Sequence, residues 1–222
     1  CVTTGAVSSS LAAVLTRLVE SRAAFLVSGG TGSGKTTLLA ALLGLVSPAE
    51  RLGVVEDSGE LRPDHPHGGS LDGRPANAEG RGAITLTDLV RQSLRMRPDR
   101  LVVGEVRGAE ICDLLAAMNT GHEGGCGTVH ANSAEDVPVR LEALGALGNL
   151  GRPALHAQLA SALDVVVHIR RDRDGRRRVS ELHVLERDPD TGWVRTVPAI
   201  DCSGPRTRRG PGSQRLERIL DR

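Results

Sequence analysis

Eight consecutive residues limit what this chain can fold into. Gly29-Gly30-Thr31-Gly32-Ser33-Gly34-Lys35-Thr36 fits the spacing G-x-x-x-x-G-K-[ST] throughout. The short apolar run at 23–27 precedes it, and a Leu-, Ala- and Thr-rich stretch at 35–45 follows. That is the strand-then-helix context this loop requires. Its glycines let the backbone curl so that successive N–H groups point inward at phosphate oxygens. The helix N-terminus adds positive potential. Lys35 can reach the β and γ phosphates and Thr36 can ligate Mg²⁺; Thr37 is counted with them. Lys35 is also the only lysine among 28 basic residues. A GC-rich genome accounts for the arginine excess, but the one lysine falls inside the glycine loop.

The rest of the composition narrows the class. A chain of 222 residues suffices for one α/β domain or two small ones. Acidic and basic groups nearly cancel, at +1, which argues against a globally basic nucleic-acid binder and against an acidic tail protein. The longest apolar run, 38–46, is too short to span a bilayer. No basic-then-apolar signal segment opens the chain. Cys1, Cys112, Cys126 and Cys202 are scattered without a Cys-x-x-Cys pair, so a reducing cytoplasm is expected rather than a disulfide framework. The chain begins at Cys1 rather than methionine, and part of the natural protein is expected upstream.

Strand and helix signals alternate. Leu11, Val14, Leu15, Leu18 and Val19 follow helical spacing after three serines. Buried strands are expected at 52–55, 101–103, 127–130 and 164–169, beside the one at 23–27. Helices are expected at 85–96, with Thr85 and Asp88 in capping-box spacing, at 109–118, from a Ser133 cap to about 147, and at 153–163. Residues 60–82 read as a loop-rich excursion. Residues 176–185 and 193–197 read as strands joined by a turn. The pattern predicts a parallel sheet covered on both faces over 1–170. A β-hairpin extension follows at 171–200, then a mobile tail at 201–222.

Hydrolysis needs a carboxylate near the phosphates. In open α/β sheets, ligands sit beyond the carboxyl ends of the strands. Two such ends are acidic: Glu56-Asp57, with Glu60 close behind, and Glu105. The usual metal-binding aspartate is absent, and Gly104-Glu105 stands in its place. Thr128 and His130 share one face of the fourth strand, where a histidine could sense the γ-phosphate. His122, Cys126 and His130 fit no standard zinc spacing. His65 and His67 lie in the excursion and are expected to face solvent.

These residues together resemble the secretion and pilus ATPases of type II and type IV systems, and within them the tight-adherence pilus and conjugal-transfer branch. Four segments carry the resemblance: the loop at 29–36, an acidic box at 55–61, the segment 94–110 around Glu105, and a histidine box at 120–132. The resemblance implies a RecA-like P-loop core in a ring, usually hexameric, with ATP and Mg²⁺ bound between subunits. It implies catalysis by Glu105, with Glu56, Glu60 and His130 assisting. It implies Thr36, Glu105 and Asp57 around the metal, and Arg95 and Arg107 near the phosphates or the neighbouring subunit. It also implies a cytoplasmic protein, peripheral at the inner face of the cell membrane and partnered by inner-membrane platform proteins. Members carry an N-terminal domain before the core. Only about twenty residues precede the phosphate strand here, as in a fragment or a short member.

Other readings compete. RecA-like cores also move nucleic acid, and arginines crowd 170–178 and recur at Arg206, Arg208 and Arg209. Aromatic stacking residues are nearly absent, however, with Phe25 and Trp193 alone. Nucleic acid is therefore not expected as a direct ligand. A small-molecule kinase would need a lid and an acceptor pocket, and the sequence marks neither. A non-catalytic subunit would not need Lys35, Thr36 and Glu105.

Overall fold

The computed structural model describes residues 6–172, 174–204 and 207–222; Cys1, Arg173 and Arg206 lie outside them. Six strands run parallel: β1 (Phe25–Gly29), β2 (Leu52–Glu56), β3 (Gly68–Asp72), β4 (Arg100–Val106), β5 (Cys126–His130) and β6 (Val165–Arg171). Three antiparallel strands continue the same sheet: β7 (Arg177–Arg187), β8 (Val194–Asp201) and β9 (Arg208–Arg209). The spatial order is β3-β2-β4-β5-β1-β6-β7-β8-β9. The inner strands are near-continuous apolar runs because helices cover both faces.

Alternation along each strand divides the core in two. Phe25 and Val27 face α1 (Ser9–Glu20), α2 (Lys35–Leu43) and α7 (Ser213–Leu220). Leu26 and Val103 face α3 (Leu86–Arg95), α4 (Glu110–Met118), α5 (Val137–Leu147) and α6 (Arg152–Ala162). Local chemistry sets the helix starts. The Ser8 hydroxyl accepts from the Leu11 N–H at 3.3 Å and opens α1. At α3, Thr85 and Asp88 cap each other reciprocally, the Thr85 hydroxyl accepting at 3.2 Å and the Asp88 carboxylate at 3.1 Å.

Four expectations change. The excursion at 60–82 contains β3, which pairs with β2 and forms the sheet edge. Ser133 holds a turn, accepting from the Asp136 N–H at 3.2 Å, and α5 begins only at Val137. The tail expected at 201–222 instead supplies β9 and α7 among its described residues, and Leu216, Ile219 and Leu220 are buried against the α1 and α2 face. His67 is exposed as expected, while His65 is half-buried, its Nε2 donating to the Ser47 carbonyl at 3.0 Å.

Candidate active site

The carboxyl ends of β1, β2, β4 and β5 meet at one edge of the sheet. Strand β1 ends at Gly29, and the loop turns into α2 at Lys35. Gly34 caps that helix with a φ of 97°, a left-handed conformation that glycine adopts without strain. No described side chain caps α2, so its first N–H groups are free to receive an anion. The Ser33 hydroxyl is buried there with no described partner. An uncapped helix start and an orphaned hydroxyl in one loop fit a phosphate chain. Lys35 Nζ meanwhile donates to the Gly29 and Gly30 carbonyls, each at 3.1 Å. Burial lowers its pKa, the Glu105 charge opposes that, and Arg107 adds to it.

Strand register aims the neighbouring groups. Gly29 pairs with His130 across β1 and β5, and the His130 Nε2 stands 3.2 Å from Lys35 Nζ. Between β4 and β5 the register slips: Val103 pairs with Gly127, and Val106 with Val129. The extra residue in β4 is a bulge at Gly104-Glu105, the kind of irregularity that re-aims a side chain. The Thr128 hydroxyl donates to the Gly104 carbonyl at 2.7 Å and steadies it. Glu105 then projects over the loop, its Oε1 2.9 Å from His130 Nε2 and its Oε2 accepting from Arg107 Nη2 at 2.5 Å. Burial first, then the Lys35 charge, lowers the His130 pKa against the pull of Glu105. The same Nε2 thus lies within hydrogen-bond reach of both the Lys35 ammonium and the Glu105 carboxylate. The Arg107 guanidinium is held charged chiefly by its bond to Glu105.

Gly104 explains why the usual aspartate is missing. A Cβ at that position would lie 2.8 Å from the Glu56 Cβ. Glu56 fills the space and is buried, its carboxylate accepting from the Glu60 and Leu61 N–H groups at 2.9 Å each. Glu56 therefore shapes the acidic turn. Its oxygens accept from backbone donors. Asp57, Glu60, Glu105, Arg107 and Thr36 line one cleft with it. The Asp57 carboxylate reaches Arg107 Nη1 at 3.6 Å.

Arg95 does not join them. It is exposed in the last turn of α3, beside the start of β4. Glu105 lies five residues further along that strand, roughly 16 Å at the usual rise. The His122, Cys126 and His130 series holds no metal arrangement among the described residues, and burial pushes the Cys126 thiol up to about 12.

Two features were not singled out from sequence. Glu110 is buried and accepts from the Arg107 and Gly108 N–H groups at 2.5 and 2.8 Å, fixing the turn that presents Arg107. The acid two residues into a helix start was its only signal. On the other flank of the loop, Gly34, Thr37, Leu38, Ile169 and Arg177 line a cavity of about 320 Å³. Nothing local in the sequence joins Arg177 to residue 34.

Comparison with known proteins agrees with this geometry. The family described as "Type II/IV secretion system protein" matches residues 2–202. A protein of Mycobacterium tuberculosis strain H37Rv, named as a candidate conjugal transfer protein, is 64% identical over 181 residues, covering 82% of this chain and 51% of its own. The type IV secretion system protein PtlH of Bordetella pertussis is 41% identical over 175 residues, covering 74% of this chain and 50% of its own. The chain thus spans about half the length of these relatives. Among solved structures, the VirB11 ATPase of the Brucella suis type IV secretion system superposes with a TM-score of 0.67 at 35% identity, over 76% of this chain and 50% of that one. The pilus retraction motor PilT shares the fold, with a TM-score of 0.55 at 22% identity, over 92% of this chain and 53% of that one. The architecture is the RecA-like α/β core, and the chain belongs to the type II/IV secretion system protein family.

Proposed function

We propose that the protein carrying this chain is a Mg²⁺-dependent ATPase that converts ATP and water to ADP and phosphate. The work would power protein secretion, pilus assembly or conjugal transfer. The observation that carries this reading is the meeting of Lys35, at the start of α2, with His130 and Glu105, at the ends of β5 and β4. In it, the loop N–H groups and Lys35 hold the phosphate chain. Thr36, with Glu105 or Asp57 beyond it, offers the hard oxygen donors that suit Mg²⁺, which would neutralise charge on the phosphates. Glu105 orients and deprotonates the attacking water, and His130 contacts the γ-phosphate when Lys35 moves onto it. Arg107, paired to Glu105 and Asp57 in the free site, turns to the developing phosphate charge. The nucleoside lies in the cavity beside Gly34 and Thr37.

Arg107, which lines the cleft, is exposed. We place the protein in a homo-oligomeric ring, hexameric by family, whose neighbouring subunit closes the cleft at Arg107. It would act at the inner face of the cell membrane with platform proteins. No described helix is long and apolar enough to cross a membrane. Among the hairpin arginines, Arg170, Arg176 and Arg178 pair with Asp172 or Asp174, which supports a reading without nucleic acid as direct ligand. Light scattering with and without ATP, together with specific activity on dilution, tests the assembly. A ring favoured by ATP, with activity falling steeply on dilution, is expected. A monomer with concentration-independent activity would contradict it.

A further inference from the structure

Two arginine pairs face each other across β6 and β7, one on each side of the sheet. Arg170 is opposite Arg178, and Arg171 is opposite Arg177. Like charges directly opposite each other destabilise a strand pair. The first pair is relieved by Asp172, whose two oxygens lie 3.0 Å from Arg170 Nε and 2.8 Å from Arg178 Nε. The second pair has no acidic partner among the described residues. It lies on the Ile169 side of the sheet, where the phosphate loop also packs. A Cβ on Gly34 would stand 3.1 Å from Arg177 Cδ, and one on Gly175 would stand 3.6 Å from Arg171 Nη2. Gly34, Gly175, Ile169 and Arg177 border the same cavity.

The missing counter-charge has a natural source. The carboxylate cleft takes the Thr36 side of the loop and the cavity takes the Gly34 and Thr37 side. A nucleotide with its terminal phosphate near Glu105 therefore carries its α-phosphate toward the arginines. We propose that Arg171 and Arg177 form a clamp for the α-phosphate of a nucleoside di- or triphosphate, occupying the place that Asp172 takes between Arg170 and Arg178. The inference rests on the nucleotide-binding reading above. Guanidinium groups are donor-only and suit phosphate oxygens. The clamp acts on groups that ADP and ATP share, so it binds without selecting the transition state.

The test uses the intact protein, with ADP binding by calorimetry and steady-state ATP hydrolysis. Arg177→Ala should weaken ADP binding and raise KM for ATP by the same factor, about tenfold for one exposed charge-assisted contact. The kcat should stay within about twofold. Arg171→Ala should act in the same direction, and Arg177→Lys should recover part of the loss. Arg176→Ala, whose side chain pairs with Asp174, should change neither constant. Wild-type protein that binds ADP, with a double Arg171→Ala/Arg177→Ala variant that binds it equally well, would overturn the clamp alone. A double variant that lost single-stranded DNA binding but kept ADP affinity would overturn it in favour of nucleic acid. Wild-type protein that bound no ADP would remove the clamp and the nucleotide reading together.

Discussion

The Lys35 ammonium, on the first residue of α2, and the His130 ring, at the end of β5, meet at 3.2 Å. Their contact follows from the pairing of Gly29 with His130 at the ends of β1 and β5. In the proposed reaction the lysine would move onto phosphate and leave this nitrogen. Glu105 Oε1 lies 2.9 Å from the same nitrogen. The loop lysine and the carboxylate thus converge on one atom of His130.

Glu105 should govern turnover more than binding. Glu105→Gln keeps the shape but removes charge and basicity. ATP should still bind, while turnover falls by roughly 10²-fold or more, the scale of a lost general base. Binding and single-turnover measurements on the same preparation check this. Full turnover in Glu105→Gln, with Glu60→Gln inactive, would move the catalytic role to the acidic turn.

Restoring the common aspartate should harm this protein. In Gly104→Asp the new Cβ would sit 2.8 Å from the Glu56 Cβ, closer than packed side chains tolerate. Expelling Glu56 would also free the Glu60 and Leu61 N–H groups it receives. A loss of about 1–3 kcal/mol in stability is expected from overpacking alone, read by denaturant unfolding. A variant as stable as wild type would show that Glu56 does not need the glycine.

Acid should destabilise the sheet near the loop through His168. The ring is buried, with Nδ1 2.8 Å from the Ser28 hydroxyl. Burial, then the neighbouring His183 and Arg170, lower its pKa, against Glu181 and Asp136. The unfolded chain therefore binds a proton more readily than the folded one. Stability should rise with pH through the window between the lowered folded value and the ordinary 6.5. In His168→Gln that rise should shrink. An unchanged slope would rule out His168 as its source.

Helix α7 should matter to the whole fold. Leu216 is 2% exposed and belongs to the core shared with α1 and α2. Leu216→Ala should cost about 2–5 kcal/mol, the range for a buried leucine, visible as a lower unfolding midpoint. A cost below about 0.5 kcal/mol would fit an undocked tail instead.

Much of this was legible because strand, loop and helix signals coincided at residues 23–45, and because acids punctuate the apolar strands at Glu56 and Glu105. What escaped did so for physical reasons. Strand β3 is Gly-Gly-Ser-Leu-Asp, poor in strand formers, and it is held by β2 rather than by its own preference. The spacing of Leu216, Ile219 and Leu220 is helical, but the Gly, Pro and Arg around it obscured a short amphipathic stripe. Arg95 matched a motif, and only the direction of α3 shows it at the far end of β4. The unequal fates of Arg178 and Arg177 depend on register across β6 and β7, which no local pattern carries.

Phosphate release by the intact protein, compared with its Lys35→Ala variant at saturating ATP and Mg²⁺, tests the central claim most directly. Wild type should hydrolyse ATP, and Lys35→Ala should bind it weakly and release no phosphate above background, because the ammonium that bridges the terminal phosphates is gone. Equal turnover by the two proteins would contradict the account.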